Sequence, residues 1–412
     1  MKILTLSTYP VGAPAHGGQH RVANIVRVLR EAGHEVQTVG VLGSDQYARE
    51  EGFCAYPGHE PMRKYIANPL LMEDWAIGRL FADDHDAYGA LASLIEPNPD
   101  LILIENPWLF DFAKRFVSER KLSKTALVYS SENIESQLRY EIVAQYLTLD
   151  DAVKARDLIL ETELKALREA HGVCGVSQED LAWMQTRTSA KCILAQNGVA
   201  RRATTAEGLE QANRIAQHRK VALLCGSAHP PNITGFFEMF GAGVGCVAPD
   251  ESLVLVGGVG PSIVADSRFH RTAGLARATI SAGVVSEACL QGLLTVAHTI
   301  ILPITHGGGT NLKTAEALWA GKNIVATSVA MRGFDAFTKA RGVSIADDSR
   351  GFVAALREAM AAPPLRLTHE ERAARTSVLW DETLRDLVDY VAGFASRASA
   401  TPKPQRELQS QT

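Results

Sequence analysis

The run His306-Gly307-Gly308-Gly309-Thr310-Asn311-Leu312-Lys313 has the residue types and the order to hold a phosphate. It follows an apolar stretch, 299–302, and Pro303, and it opens a segment of helical periodicity that continues to Trp319. Consecutive glycines let backbone N–H groups approach an anion closely, and a helix start adds unpaired donors with partial positive charge. Lys313 falls in the first turn, where a cation opposes the helix dipole unless an anionic ligand compensates it. Glu316 projects from the same side of that helix and could accept hydrogen bonds from the two hydroxyls of a ribose. The same letters also fit a surface glycine turn followed by a solvated Lys–Glu pair, and both readings stay open at this point.

A second glycine element, Ala15-His16-Gly17-Gly18-Gln19, joins the first strand-like run to the first helix-like one. In open α/β sheets ligands bind beyond the carboxyl ends of the strands, which is where such a loop lies. Two other groupings suggest chemistry less strongly. Asp84-His85-Asp86 has the letters of a metal-binding Asp-x-Asp but sits in a polar, helix-like stretch, and no metal is expected there. Gly257-Gly258-Val259-Gly260 lacks the full dinucleotide fingerprint.

The elements that must position these residues alternate. Strand-like runs at 2–8, 35–39, 101–105, 126–130 and 173–176 are separated by helical periodicity, such as Val22, Ile25, Val26 and Leu29, with Gly33 as a helix stop. A long helix over 150–170 is expected to bury Val153, Leu160, Leu164 and Leu167, and Ser177 with Asp180 reads as the start of the next helix. The polar segment 201–219 lacks a strand pattern and is expected to link two domains. A second series of strands then follows at 221–225, 252–256, 279–282, 299–302 and 323–326. This alternation predicts an α/β fold with parallel sheets. The expected divisions are 1–200, 201–375, a terminal helix within 376–395, and a disordered polar tail at 396–412.

Bulk properties narrow the class. A chain of 412 residues exceeds one ordinary core. A net charge of −4 gives no reason to expect nucleic acid. No apolar run is long enough to span a bilayer, and the N-terminus is too short in apolar residues for a secretory leader, so a cytoplasmic protein is expected. The 6 cysteines are scattered without a C-x-x-C pair and are expected to be buried thiols.

In order and spacing, Gly17-Gly18, Ser131-Glu132-Asn133-Ile134-Glu135, Gly175-Val176-Ser177, Asn197-Gly198-Val199, Gly226-Ser227 with Pro230-Pro231-Asn232, Gly307 to Glu316 and Trp380-Asp381 are familiar. The chain resembles the retaining glycosyltransferases of the GT-B fold, in the large family (family 4, group 1) that includes sucrose synthase and bacterial polysaccharide glycosyltransferases. The resemblance implies two Rossmann-like domains facing a cleft and a terminal helix crossing back to the first. It implies a nucleotide-sugar donor held by Gly17, Gly18, Ser227, Asn232, Gly308, Gly309, Thr310, Asn311, Lys313 and Glu316, with the base near Gly283 and Val284. It implies no cofactor or metal, a glycan or lipid-linked acceptor, and room for a peripheral contact at the inner face of a membrane.

There are departures. The earlier of two donor-loop glutamates common in the family is Gly308 here, and the later is Glu316. The stretch that often carries a diphosphate-binding Arg and Lys reads Ala228-His229-Pro230-Pro231-Asn232, which leaves Lys313 to supply that charge. A His that usually contacts the transferred sugar is replaced by Glu132, which is taken with Lys313 as a candidate catalytic residue. In the family-like mechanism the donor phosphate can take the acceptor proton. A weakened nucleotide-sugar-binding scaffold of the same fold, or a nucleotide-sugar epimerase, is the alternative.

Overall fold

The computed structural model describes residues 1–241 and 243–399, the side chains of 395–399 excepted. Its strands are β1 (Lys2–Ser7), β2 (Glu35–Val41), β3 (Phe53–Cys54), β4 (Leu101–Glu105), β5 (Ala126–Ser130), β6 (Gly172–Gly175), β7 (Lys191–Leu194), β8 (Lys220–Cys225), β9 (Glu251–Val256), β10 (Thr279–Gly283), β11 (Thr299–Leu302), β12 (Asn323–Ala326) and β13 (Val343–Ile345). They form a 7-stranded sheet in the order β3-β2-β1-β4-β5-β6-β7 and a 6-stranded sheet in the order β10-β9-β8-β11-β12-β13. Every pairing within them is parallel, for example β1 with β4 and β8 with β11. Helices cover both faces of each sheet, so central strands are buried throughout; β4, reading LILIE, is buried at every position.

The strand order reverses between β1 and β4 in the first sheet and between β8 and β11 in the second. At such switch points the loops leaving neighbouring strands diverge to opposite faces and open a crevice at the carboxyl edge. The Gly17-Gly18 loop leaves β1, and the Gly307–Gly309 loop leaves β11. Both glycine elements therefore occupy switch points, one in each lobe.

One expectation from sequence gains detail and another is corrected. The segment 201–219 is no bare link: Thr205 caps a helix, Ala206–Ala216, packed so closely on the Glu287–Val296 helix that a Cβ on Gly208 would stand 2.1 Å from Ala288 O. Its polar outer face masked a short apolar stripe. In the long helix, Leu149–Glu169, the buried positions are Ala152, Ala155, Ile159, Glu163, Ala166 and Leu167, whereas Val153 is 37% exposed and Leu160 and Leu164 are half-buried. The reason is Glu163. Its carboxylate accepts from Glu135 N at 2.6 Å and Ser136 N at 3.0 Å, serving the start of the Glu135–Tyr146 helix from below. Apolar periodicity cannot anticipate a buried carboxylate, so the face was rotated. Glu163→Ala is expected to destabilise the fold by about 2–3 kcal/mol, because two buried N–H donors lose their acceptor; urea unfolding with an unchanged midpoint would refute that role.

The chain returns to the first sheet at its end. Trp380, Leu384, Leu387 and Val391 pack with Val22, Ile25 and Cys174, and the Arg385–Ser399 helix lies against β7. That helix includes 396–399; the rest of the tail expected to be disordered, 400–412, lies outside the described residues. Among the described residues no helix is long and apolar enough to cross a membrane.

Candidate nucleotide-sugar site

Helix starts normally find a side-chain cap or an acidic residue. Asp84, Thr148, Ser177, Thr205, Ser286 and Asp348 cap theirs in this chain. Among the described helices of eight residues or more, those with neither a side-chain cap nor a first-turn acid are Gly17–Glu31, Pro230–Phe240 and Leu312–Ala320. These starts meet. A Cβ on Gly17 would lie 3.4 Å from Leu312 Cδ1, and Lys313 Nζ donates to Asn232 Oδ1 at 2.5 Å. Asn232 Nδ2 in turn donates to Ser227 O at 2.9 Å, and the Gly226 Cβ position is 3.4 Å from Lys313 Nζ. The Pro230–Phe240 start adds partial positive charge without a free N–H, since Pro230 and Pro231 have none and Asn232 N donates to His229 O at 3.0 Å. The start of the Lys313 helix carries no side-chain cap.

Lys313 is half-buried at this junction. Burial pushes its ammonium down to about 8, opposed by the thiol of Cys225 and the carboxylate of Glu316. Burial pushes Glu316 up to about 7, opposed by Arg202, while Glu287 reinforces the rise. Arg202 and Glu287 form an ion pair beside it. A group holding its charge against desolvation gains most from a ligand of opposite sign or a hydrogen-bonding partner. The arrangement suits an anion at Lys313 and hydroxyl donors at Glu316.

The glycine loop lies against the other lobe. Gly309 has φ +60°, and a Cβ there would stand 2.4 Å from Glu132 O and 2.8 Å from Asn133 Oδ1. A Cβ on Gly308 would stand 2.9 Å from Asn133 Oδ1. Arg332 donates to Gly307 O and fixes the loop from its own lobe. Thr310 O accepts from Asn197 Nδ2 at 3.0 Å, so the Asn-Gly-Val motif is an interlobe tie, and Asn311 is the uncapped start of the Lys313 helix. On the opposite wall, Glu132 Oε2 lies 2.8 Å and Tyr9 Oη 2.7 Å from where a Gly18 Cβ would stand, and Tyr9 donates to Glu132 Oε1.

The structure therefore brings Gly17, Gly18, Glu132, Gly308, Gly309, Thr310, Asn311, Lys313, Asn232, Ser227 and Glu316 to one junction between the lobes. Gly283 and Val284 lie at the end of the edge strand β10; Gly283 O accepts from Gly257 N at 2.7 Å, beside Gly226, and Val284 is 86% exposed. Asp84 of Asp84-His85-Asp86 is a helix cap, accepting from Asp86 N and Ala87 N at 3.0 Å. Gly257 serves close packing, since a Cβ on it would stand 2.3 Å from Gly226 O. Among the described residues no three His, Cys or acidic side chains are grouped as metal ligands would be.

Several polar residues at the junction escaped sequence reasoning: Tyr9, Arg21, Glu105 and Asn106 around Glu132, Arg202 near Glu316, and Arg332 on the glycine loop. One signal existed. Glu105-Asn106 ends a wholly apolar strand, and a carboxylate closing such a strand marks the carboxyl edge where ligands bind.

No known family model matches the chain, and no curated protein matches it. Solved structures match over nearly the whole length. A sucrose-phosphate synthase from Thermosynechococcus elongatus is 16% identical, with 96% of this chain and 99% of that one covered and a TM-score of 0.69. An α,α-trehalose 6-phosphate synthase from Burkholderia multivorans is 15% identical over 98% and 99%, TM-score 0.63. HepE from Anabaena, in complex with UDP and glucose, is 12% identical over 96% and 100%, TM-score 0.58. At such identities the likeness defines the architecture, and this chain has the GT-B fold.

Proposed function

We infer that the chain is a glycosyltransferase that moves a sugar from a nucleoside-diphosphate sugar to a hydroxyl acceptor, retaining the anomeric configuration and needing no metal ion. The observation that carries this reading is the meeting of uncapped, acid-free helix starts around Lys313, at the switch points of the two sheets. A diphosphate supplies the missing negative charge, and as the leaving group it gains charge during transfer beside the Lys313 ammonium and the glycine-loop N–H groups. Glu316 takes the ribose hydroxyls. The structural neighbours solved with UDP-glucose and with glucose-6-phosphate support the choice of donor class and of a sugar-like acceptor.

In this reading the acceptor is a glycan or a lipid-linked sugar reached from the cytoplasm. The exposed Tyr146, Leu147 and Leu149, at the turn between two helices, are where a peripheral membrane contact is to be tested by vesicle sedimentation.

The direct test is a panel of nucleotides and nucleotide sugars read by thermal shift, followed by product analysis in the presence of a chelator. Binding at a hundredfold excess over Kd stabilises the fold by about 2.7 kcal/mol. Transfer that persists in chelator supports the proposal; activity lost in chelator and restored by magnesium or manganese overturns metal independence. Binding without turnover on any acceptor favours the scaffold alternative, and interconversion of the free donor sugar favours the epimerase. Glu316→Gln is expected to weaken nucleotide binding about tenfold or more, since a hydrogen bond to a charged group is worth about 1.5–3 kcal/mol; equal affinities in calorimetry would remove Glu316 from the ribose.

A further inference from the structure

We propose that Glu132, held in place by the phenol of Tyr9, is the group that takes the proton from the acceptor hydroxyl. The assignment rests on the glycosyl-transfer reading above and changes where the proton goes: to a side chain of the enzyme instead of the donor phosphate.

Position is the first ground. Glu132 follows β5 at the carboxyl edge of the first sheet, in the lobe opposite Lys313. Its Oε2 lies against Gly18, at the tip of one uncapped helix, and its backbone oxygen lies against Gly309, just before the tip of another. A sugar whose diphosphate is held at the Lys313 tip has its anomeric carbon in the space this carboxylate borders.

The second ground is the way the carboxylate is fixed. Tyr9 Oη donates to Oε1, which leaves Oε2 turned toward Gly18. The backbone N–H of Glu132 donates to Asn106 Oδ1 at 3.4 Å. Asn106 holds φ +61°, the left-handed region that non-glycine residues enter at a cost, and such strain is typically kept where a polar group must be aimed.

The third ground is the surroundings. Glu105, 1% exposed, ends β4 with neither carboxylate oxygen in a well-formed hydrogen bond, and burial pushes it up to about 7. Burial also raises Glu132; Tyr9, Arg21 and Asn106 oppose that rise, and Asp74 reinforces it. Glu135 and Tyr47 face the same charge from their own elements. A carboxylate made more basic by burial and by acidic neighbours, yet kept ionisable by Tyr9 and Arg21, has the properties of a general base.

The step balances. The acceptor oxygen bonds to the anomeric carbon on the face the diphosphate leaves, which keeps the configuration, and its O–H proton passes to the Glu132 carboxylate. The bond from that carbon to the diphosphate breaks, its electron pair leaves with the diphosphate, and the proton is later released to water. Only the ionised carboxylate accepts a proton, so kcat falls as pH drops through the raised pKa of Glu132. Tyr9→Phe removes a hydrogen bond to the ionised form, which moves that acid limb to higher pH.

The experiment compares Glu132→Gln with the unsubstituted protein, using the donor chosen from UDP-glucose, GDP-mannose and ADP-glucose by thermal shift, and two acceptors: an alcohol and azide, which has no proton to lose. Transfer to the alcohol is expected to fall by about a hundredfold or more, while transfer to azide stays within threefold and nucleotide affinity is unchanged. Equal losses toward both acceptors, or no loss toward either, overturn the assignment. If Glu132→Gln does not fold, the pH profile of Tyr9→Phe decides: an acid limb that stays in place is the overturning result. Nucleotide binding without any transfer by the unsubstituted protein sinks the glycosyl-transfer reading and this assignment together, whereas normal transfer by Glu132→Gln sinks this assignment alone.

Discussion

Lys313→Ala is expected to lower kcat by about a hundredfold or more while leaving the folded protein no less stable. The loss follows from removing a preorganised cation aimed at the departing diphosphate, the kind of contact worth two to three orders of magnitude in turnover. Stability is spared for the opposite reason. In the unliganded protein the ammonium is desolvated, with Asn232 Oδ1 as its hydrogen-bond acceptor, and its acidity is raised accordingly. Alanine relieves that cost. Single-turnover kinetics with a thermal melt separates the two effects, and an unchanged kcat would remove Lys313 from the reaction.

The same group sets a pH dependence whose sign can be worked out. The folded pKa of Lys313 is about 8 against an ordinary 10.5, so between these values the unfolded chain holds a proton that the folded one lacks. Raising the pH through that window therefore stabilises the free protein through this group. A bound diphosphate favours the ammonium form, so binding above pH 8 is accompanied by proton uptake, measurable by calorimetry in buffers of different ionisation heat. Glu316, pushed up to about 7, acts in the other direction: its carboxylate is present above that value and lost below it. Nucleotide affinity is expected to peak between the two, with apparent values belonging to the coupled pair.

Gly309→Ala is the second change with a large expected effect, again about a hundredfold in kcat. At φ +60° an alanine carries a cost of about 1–2 kcal/mol. The greater effect is steric. Its Cβ would stand 2.4 Å from Glu132 O, and a backbone oxygen cannot rotate away as a side chain can. The donor loop and the Ser131–Ile134 stretch must then separate, and displacements of about 1 Å at reacting groups cost about two orders of magnitude. Faster hydrogen exchange in 131–134 would accompany the loss; normal kinetics would show that the lobes need not meet there.

Much of this was legible in the sequence because local rules acted alone. Strands 101–105, 126–130, 299–302 and 323–326 agree residue for residue with β4, β5, β11 and β12, since central parallel strands are continuous apolar runs with few competing interpretations. Short edge elements did not show: β3 has two residues, and β13 three, too few to carry a period. The glycine-loop grouping was legible for a similar reason. Gly308, Gly309, Lys313 and Glu316 lie within one loop and one helix turn, so backbone geometry alone relates them.

What the sequence by itself determined is the alternation of strands and helices, the parallel sheets that follow from it, and a glycine loop running into a helix with a lysine in its first turn. The tertiary structure decided the rest. It set the strand orders that place β1 beside β4 and β8 beside β11, and it brought Tyr9 and Glu132, far apart in the chain, onto one hydrogen bond. It also buried Glu163 where periodicity had placed leucine. The physical reason is common to all three. Local patterns record which face of an element avoids water, whereas polar partners are chosen by which strand ends and helix starts the folded chain brings into contact.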